Sequence, residues 1–103
     1  MKEFAQQPSI VGNLQPFERN DDEAISFEVT LDLIGQVVAV YTGRIAAERR
    51  QPEPDQEAIA AWTAHRTRAA ADQQGLRASD PAVVQETRER YTALLRSLRG
   101  QAG

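Results

Sequence analysis

A chain of 103 residues with a net charge of −3 and no cysteine has room for one domain. The missing cysteine excludes disulfide staples, thiolate metal sites and cysteine nucleophiles together. Hydrophobic residues at 41% and charged residues at 26% match a folded soluble protein rather than a disordered one.

The charge is unevenly placed. Residues 1–40 carry seven acids against Lys2 and Arg19, whereas residues 41–103 carry ten arginines against eight acids. The start, MKEFAQQPSIVGN, lacks the apolar core of a signal peptide, and no run reads as membrane-spanning. The expectation is therefore cytoplasmic residence with no membrane partner.

Residues 1–20 hold Pro8, Gly12, Asn13, Pro16 and Asn20 among scattered apolar residues, which predicts an irregular N-terminal arm. Asp21-Asp22-Glu23 then supplies a cap and a negative first turn for a helix. The segment that follows, 24–50, reads two ways. Ile25, Phe27, Val29, Leu31 and Leu33 alternate with polar residues like a strand, whereas Ile34, Val38, Tyr41 and Ile45 repeat like a helix. On a helical wheel the same residues, Val29, Leu33, Val37 and Val40 included, fall in one arc of roughly 200°. One helix over about 21–50 accounts for both halves. The alternative is an α+β chain with a short strand at 25–33, and an isolated pair of strands is marginal in water.

Gln51-Pro52-Glu53-Pro54-Asp55 ends this helix, with Asp55 placed to cap the next. A second helix is predicted over about 55–74. Ala58, Ile59, Trp62, Ala69 and Ala70 lie on its inner face, and Gly75 is placed as a left-handed stop. Ser79-Asp80-Pro81 starts a third helix over about 81–99, with Val83, Val84, Thr87, Tyr91, Leu94, Leu95 and Leu98 in a narrow apolar arc. Residues 100–103 form a tail. Short connections between three helices predict an all-α, up-down-up antiparallel three-helix bundle with one long first helix, as a single domain over 21–99.

Candidate chemistry is sparse. The single histidine, His65, has only Asp72, two turns on, as a helical partner for acid–base work, and no pair of ligands has metal-site spacing. Asp21, Asp22 and Glu23 lack the interleaved pattern and turn glycine of a calcium loop. Tyr41, Arg44 and Glu48 share a helix face, where such residues orient a substrate anion or close a polar gap between helices. Trp62 and Tyr91 read as core aromatics. No catalytic residue, cofactor or metal is assigned, and the chain is expected not to be an enzyme.

Two surfaces stand out instead. An apolar arc of about 200° is wider than one packed neighbour needs. The surplus around Val29, Leu33, Val37 and Val40 predicts a homodimer through helix 1, in a protein that also binds a protein partner. Gly35, Ala39, Gly43 and Ala46 or Ala47 form a small-residue ridge on the same helix. On helix 3, Arg88, Arg96 and Arg99 make a basic stripe, and with Arg77 they carry the second expectation, contact with nucleic-acid phosphates.

Overall fold

The computed structural model describes the backbone of residues 6–101 and the side chains of residues 22–100. It holds three helices: α1 (Gln6–Arg49), α2 (Gln56–Gly75) and α3 (Pro81–Gln101). No strand occurs among the described residues, so the segment 25–33 is helical and the α+β alternative is set aside. The chain is an all-α three-helix bundle built around a long first helix.

Three boundaries differ from expectation: the start of α1, the stop of α2 and the end of α3, which runs through Gly100 to Gln101 where the sequence predicts a tail. The helical backbone of α1 begins at Gln6, so residues 6–20 are helix rather than an irregular arm. Pro8 falls in its first turn, where an N–H has no intrahelical acceptor to lose. Asp21-Asp22-Glu23 is consequently interior to the helix and does not start it. Residues 1–5 and 102–103, which include the ends of the predicted arm and tail, lie outside the described residues. Gly75 closes α2 in ordinary helical geometry and no described glycine has positive φ, because the chain leaves the helix through an extended Leu76 instead.

The other signals act as the residue chemistry demands. Arg50 and Gln51 turn the chain out of α1 by donating to the carbonyls of Ala47 and Glu48. Asp55 caps α2, its Oδ1 accepting from the N–H groups of Glu57 and Ala58 at 3.1 Å each. The Glu48 carboxylate accepts from the Asp55 N–H at 2.9 Å, which fixes the cap against the end of α1. Asp80 begins α3, its carbonyl accepting from Val84 N–H at 3.0 Å.

The core takes Ile34, Val37, Tyr41 and Ile45 from α1, Ile59 and Ala69 from α2, and Val84, Tyr91, Leu95 and Leu98 from α3. The fully covered α1 positions step by four, three, four and four from Thr30 through Ile34, Val37, Tyr41 and Ile45, the period of a helix with one buried face. Thr30 is polar yet wholly buried, and its hydroxyl is satisfied by donating to the Ser26 carbonyl at 2.7 Å.

α2 and α3 occupy opposite flanks of α1. On one flank, Gln73 of α2 donates to the Leu31 carbonyl at 3.0 Å, and Arg66 to Thr42 at 3.3 Å. On the other, Arg88 of α3 donates to Ser26 at 3.4 Å, Arg99 to Gln36 at 2.8 Å, and Arg44 of α1 to the Leu98 carbonyl at 2.8 Å. No Cα of α2 lies within 8 Å of a Cα of α3. Directly packed helices run 8–10 Å apart and bring backbones closer than that. The two flanking helices therefore meet through side chains, Tyr91 and Asp72 among them, and a seam runs between them.

The stretch Asp22–Arg49 is long and apolar enough to cross a membrane, with mean hydropathy 1.5 over its best 18 residues, which corrects the expectation that no run reaches that length. Only 22% of that window is buried by the rest of the chain.

Candidate functional site

Two regions of the bundle have surface that its own packing leaves unused: the outer face of α1 and the seam between α2 and α3.

The four helix-1 residues expected at an interface do not stay together. Val37 is 0% exposed and belongs to the chain's own core, so it is not offered to a partner. Leu33 and Val40 are half-buried against the edge of that core. Val29 is 39% exposed, and Ile25, one turn earlier, is 58% exposed. The face turned away from α2 and α3 is completed by exposed Ala39, Gly43, Ala46 and Ala47. A Cβ added at Gly43 would meet nothing within 4 Å, whereas one at Gly35 would touch the Gln73 amide at 3.4 Å. The small-residue ridge therefore divides, with Gly35 used by α2 and the rest left outside. Within this face, between Val29 and Ala39, Gln36 donates to Asp32 at 2.8 Å and accepts from Arg99, so a polar pair interrupts the apolar stripe.

The arginine stripe of α3 also divides. Arg88 and Arg99 reach back to Ser26 and Gln36 of α1, while Arg96 is exposed. Arg77 lies exposed in the α2–α3 connection.

The set Tyr41, Arg44, Glu48 and His65 does not form one network. Arg44 serves the Leu98 carbonyl at the end of α3, and Glu48 serves the α2 cap. Tyr41 and His65 do come together, their rings stacked with centroids 5.5 Å apart and planes inclined by 26°. This stack forms one wall of a groove of about 290 Å³ along the seam. Val37, Ala69, Tyr91 and Leu94 also line it, and all of these but Leu94 are buried in the core.

Polar groups of the groove come from α2 and α3. The Tyr91 hydroxyl donates to Asp72 Oδ2 at 2.6 Å, and the same oxygen lies 3.6 Å from Arg90. The Arg90 guanidinium sits 5.3 Å from the Tyr91 ring centroid. Exposed Arg68 lines the groove beside them. Burial pushes the Tyr91 phenol up to about 12 from 10.0. Its hydrogen bond to the Asp72 carboxylate, and that carboxylate's negative charge, hold the proton further, with Arg90 and Arg68 pulling the other way. Asp72 thus turns to Tyr91 and Arg90, while His65 stacks on Tyr41. The arrangement offers cationic donors around an apolar cleft.

Sequence reading assigned Tyr91 to the core and treated Asp72 only as a distant mate for His65; Arg68 and Arg90 were missed. One signal was legible: Asp72 lies three residues past buried Ala69, beside the inner face of α2, where a carboxylate needs a donor. Among the described residues no group of three His, Cys, Asp or Glu is arranged to hold a metal ion. The chain matches no protein-family profile, no curated protein and no solved structure.

Proposed function

We propose that this protein is a non-enzymatic interaction module of the cytoplasm that self-associates through the outer face of α1. One observation carries the reading: Val29 and Ile25, followed by Ala39, Gly43, Ala46 and Ala47, remain exposed along a helix whose opposite side is fully packed. Apolar and small residues left exposed along one helix face mark an interface, and a two-fold pair is the commonest closed way to cover them. Small residues at the centre let two α1 backbones approach closely. The Asp32–Gln36 pair, held by Arg99, lies inside this face and would sit within such an interface as its polar contact.

A bilayer is the competing cover for an apolar helix. α3, however, packs against the same stretch of α1, with Arg88 on Ser26 and Arg99 on Gln36. Inserting the packed bundle would take these arginines toward hydrocarbon, at about 2.5–3.5 kcal/mol each near the midplane. An aqueous dimer avoids that cost.

The test is solution mass by sedimentation equilibrium, with Val29→Glu and Ala39→Glu as variants on the outer face. The reading expects a dimer for the natural chain and monomers of unchanged helicity for both variants. A monomeric natural chain at high micromolar concentration would overturn it, as would co-flotation with neutral phosphatidylcholine vesicles.

A further inference from the structure

The outer face of α1 carries an order of charge as well as apolar surface. Glu28 and Asp32 stand toward one end and Arg50 just past the other, all three exposed. Residues 33–43 between them hold no charged residue. Among the described residues, the side chains of Glu28 and Arg50 have no partner within their own chain.

The spacing puts these charges in phase. Glu28 lies eleven positions before exposed Ala39, and Arg50 lies eleven positions after it. Eleven residues complete three helical turns with little remainder, so Glu28, Ala39 and Arg50 rise from one side. The Arg50 N–H still donates to the Ala47 carbonyl, so the chain keeps winding at that point. Ala39 is the midpoint of a face that is negative at one end and positive at the other.

A second copy can lie on this face in two directions. Parallel packing sets Glu28 against Glu28, Asp32 against Asp32 and Arg50 against Arg50, and it also aligns the helix dipoles unfavourably. Antiparallel packing about a two-fold axis at Ala39 sets each Glu28 against Arg50 of the other copy. Asp32 and Ala46, seven positions either side of that axis, then face each other. The Asp32–Gln36 pair thus meets a small side chain rather than its own copy. Glu28 lies about 16 Å from the axis at 1.5 Å per residue. A shallow crossing of about 20° keeps long Glu and Arg side chains within reach at that distance.

We propose that α1 pairs with α1 of a second copy in antiparallel fashion, on a two-fold axis at Ala39, with Glu28 and Asp32 directed toward Arg50. This rests on the self-association proposed above and adds its direction and register.

The chain has no cysteine, so single cysteines report the register directly. Ala39→Cys and Ala46→Cys each replace an exposed small residue, and each is oxidised at a concentration where the natural chain sediments as a dimer. A disulfide needs Cα atoms within about 7 Å. Antiparallel pairing brings the two 39 positions together and holds the two 46 positions about 21 Å apart. Ala39→Cys is therefore expected to link and Ala46→Cys to remain unlinked. Glu28→Arg and Arg50→Glu are each expected to weaken association about tenfold, and the double variant to recover to within about threefold. A monomeric natural chain would overturn the self-association reading itself, and this arrangement with it. A dimer in which Ala39→Cys does not link, Ala46→Cys links as readily, or single charge reversals change nothing would leave that reading standing and overturn the antiparallel arrangement.

Discussion

The Tyr91 hydroxyl donates to Asp72 Oδ2 at 2.6 Å, and this bond ties α3 to α2 across a seam where their backbones do not meet. Tyr91 is buried and Asp72 half-buried, so water replaces the bond poorly if either partner is lost. Tyr91→Phe keeps the ring in the core and removes only the donor. Thermal or urea unfolding is expected to show a loss of about 1–2 kcal/mol. Arg90→Gln, at an exposed ion pair, is expected to cost under about 1 kcal/mol in the same assay.

The same bond gives the protein a pH signature. The folded chain holds the Tyr91 proton more tightly than the unfolded chain, with the phenol raised from 10.0 to about 12. A raised folded value means the contribution is complete below the unfolded value and is lost as pH climbs through the folded one. The stability difference between the natural chain and Tyr91→Phe is therefore expected to be constant up to about pH 10 and to fall between about 10 and 12. A difference that stays flat through pH 12 would show that the phenol is not held in this way.

Gly43 separates what the free chain prefers from what a dimer tolerates. A methyl there meets nothing within 4 Å, and alanine in a helix interior is favoured over glycine by about 1 kcal/mol. Gly43→Ala is expected to raise the unfolding midpoint of the dilute monomer and to weaken self-association. Calorimetry on dilute samples and sedimentation on concentrated ones read the two effects separately.

Val37 and Ala39 are two residues apart and face opposite ways, one fully buried and one exposed. Val37→Glu places a carboxylate in the core with no partner and is expected to abolish cooperative unfolding, at a cost above about 4 kcal/mol. Ala39→Glu keeps helicity by circular dichroism and acts only on association. Equal effects of the two would contradict the phase of α1.

Much of this fold could be read from residues alone, and the exceptions have physical causes. The prolines at 52 and 54 and the caps Asp55 and Asp80 mark the breaks between helices, because each acts on the backbone locally. The phase of α1 was harder. An apolar arc of about 200° has no sharp edge, so Val29 looked as core-like as Ile34, and Thr30 looked like surface. Only the placement of α2 and α3 on opposite flanks shows that Thr30 is enclosed while Val29 is left outside. The groove was least legible, since Val37, Ala69 and Tyr91 come from three helices and no local pattern joins them. Gly75 invited a left-handed stop that the chain did not need, because Leu76 leaves the helix in an extended conformation.

The most direct test of self-association through the outer face of α1 is the equilibrium mass of the natural chain beside Ala39→Glu at high micromolar concentration. The natural chain is expected at twice its 11.4 kDa and the variant at that single mass, with equal helicity. A natural chain that sediments at 11.4 kDa and unfolds cooperatively would contradict the account.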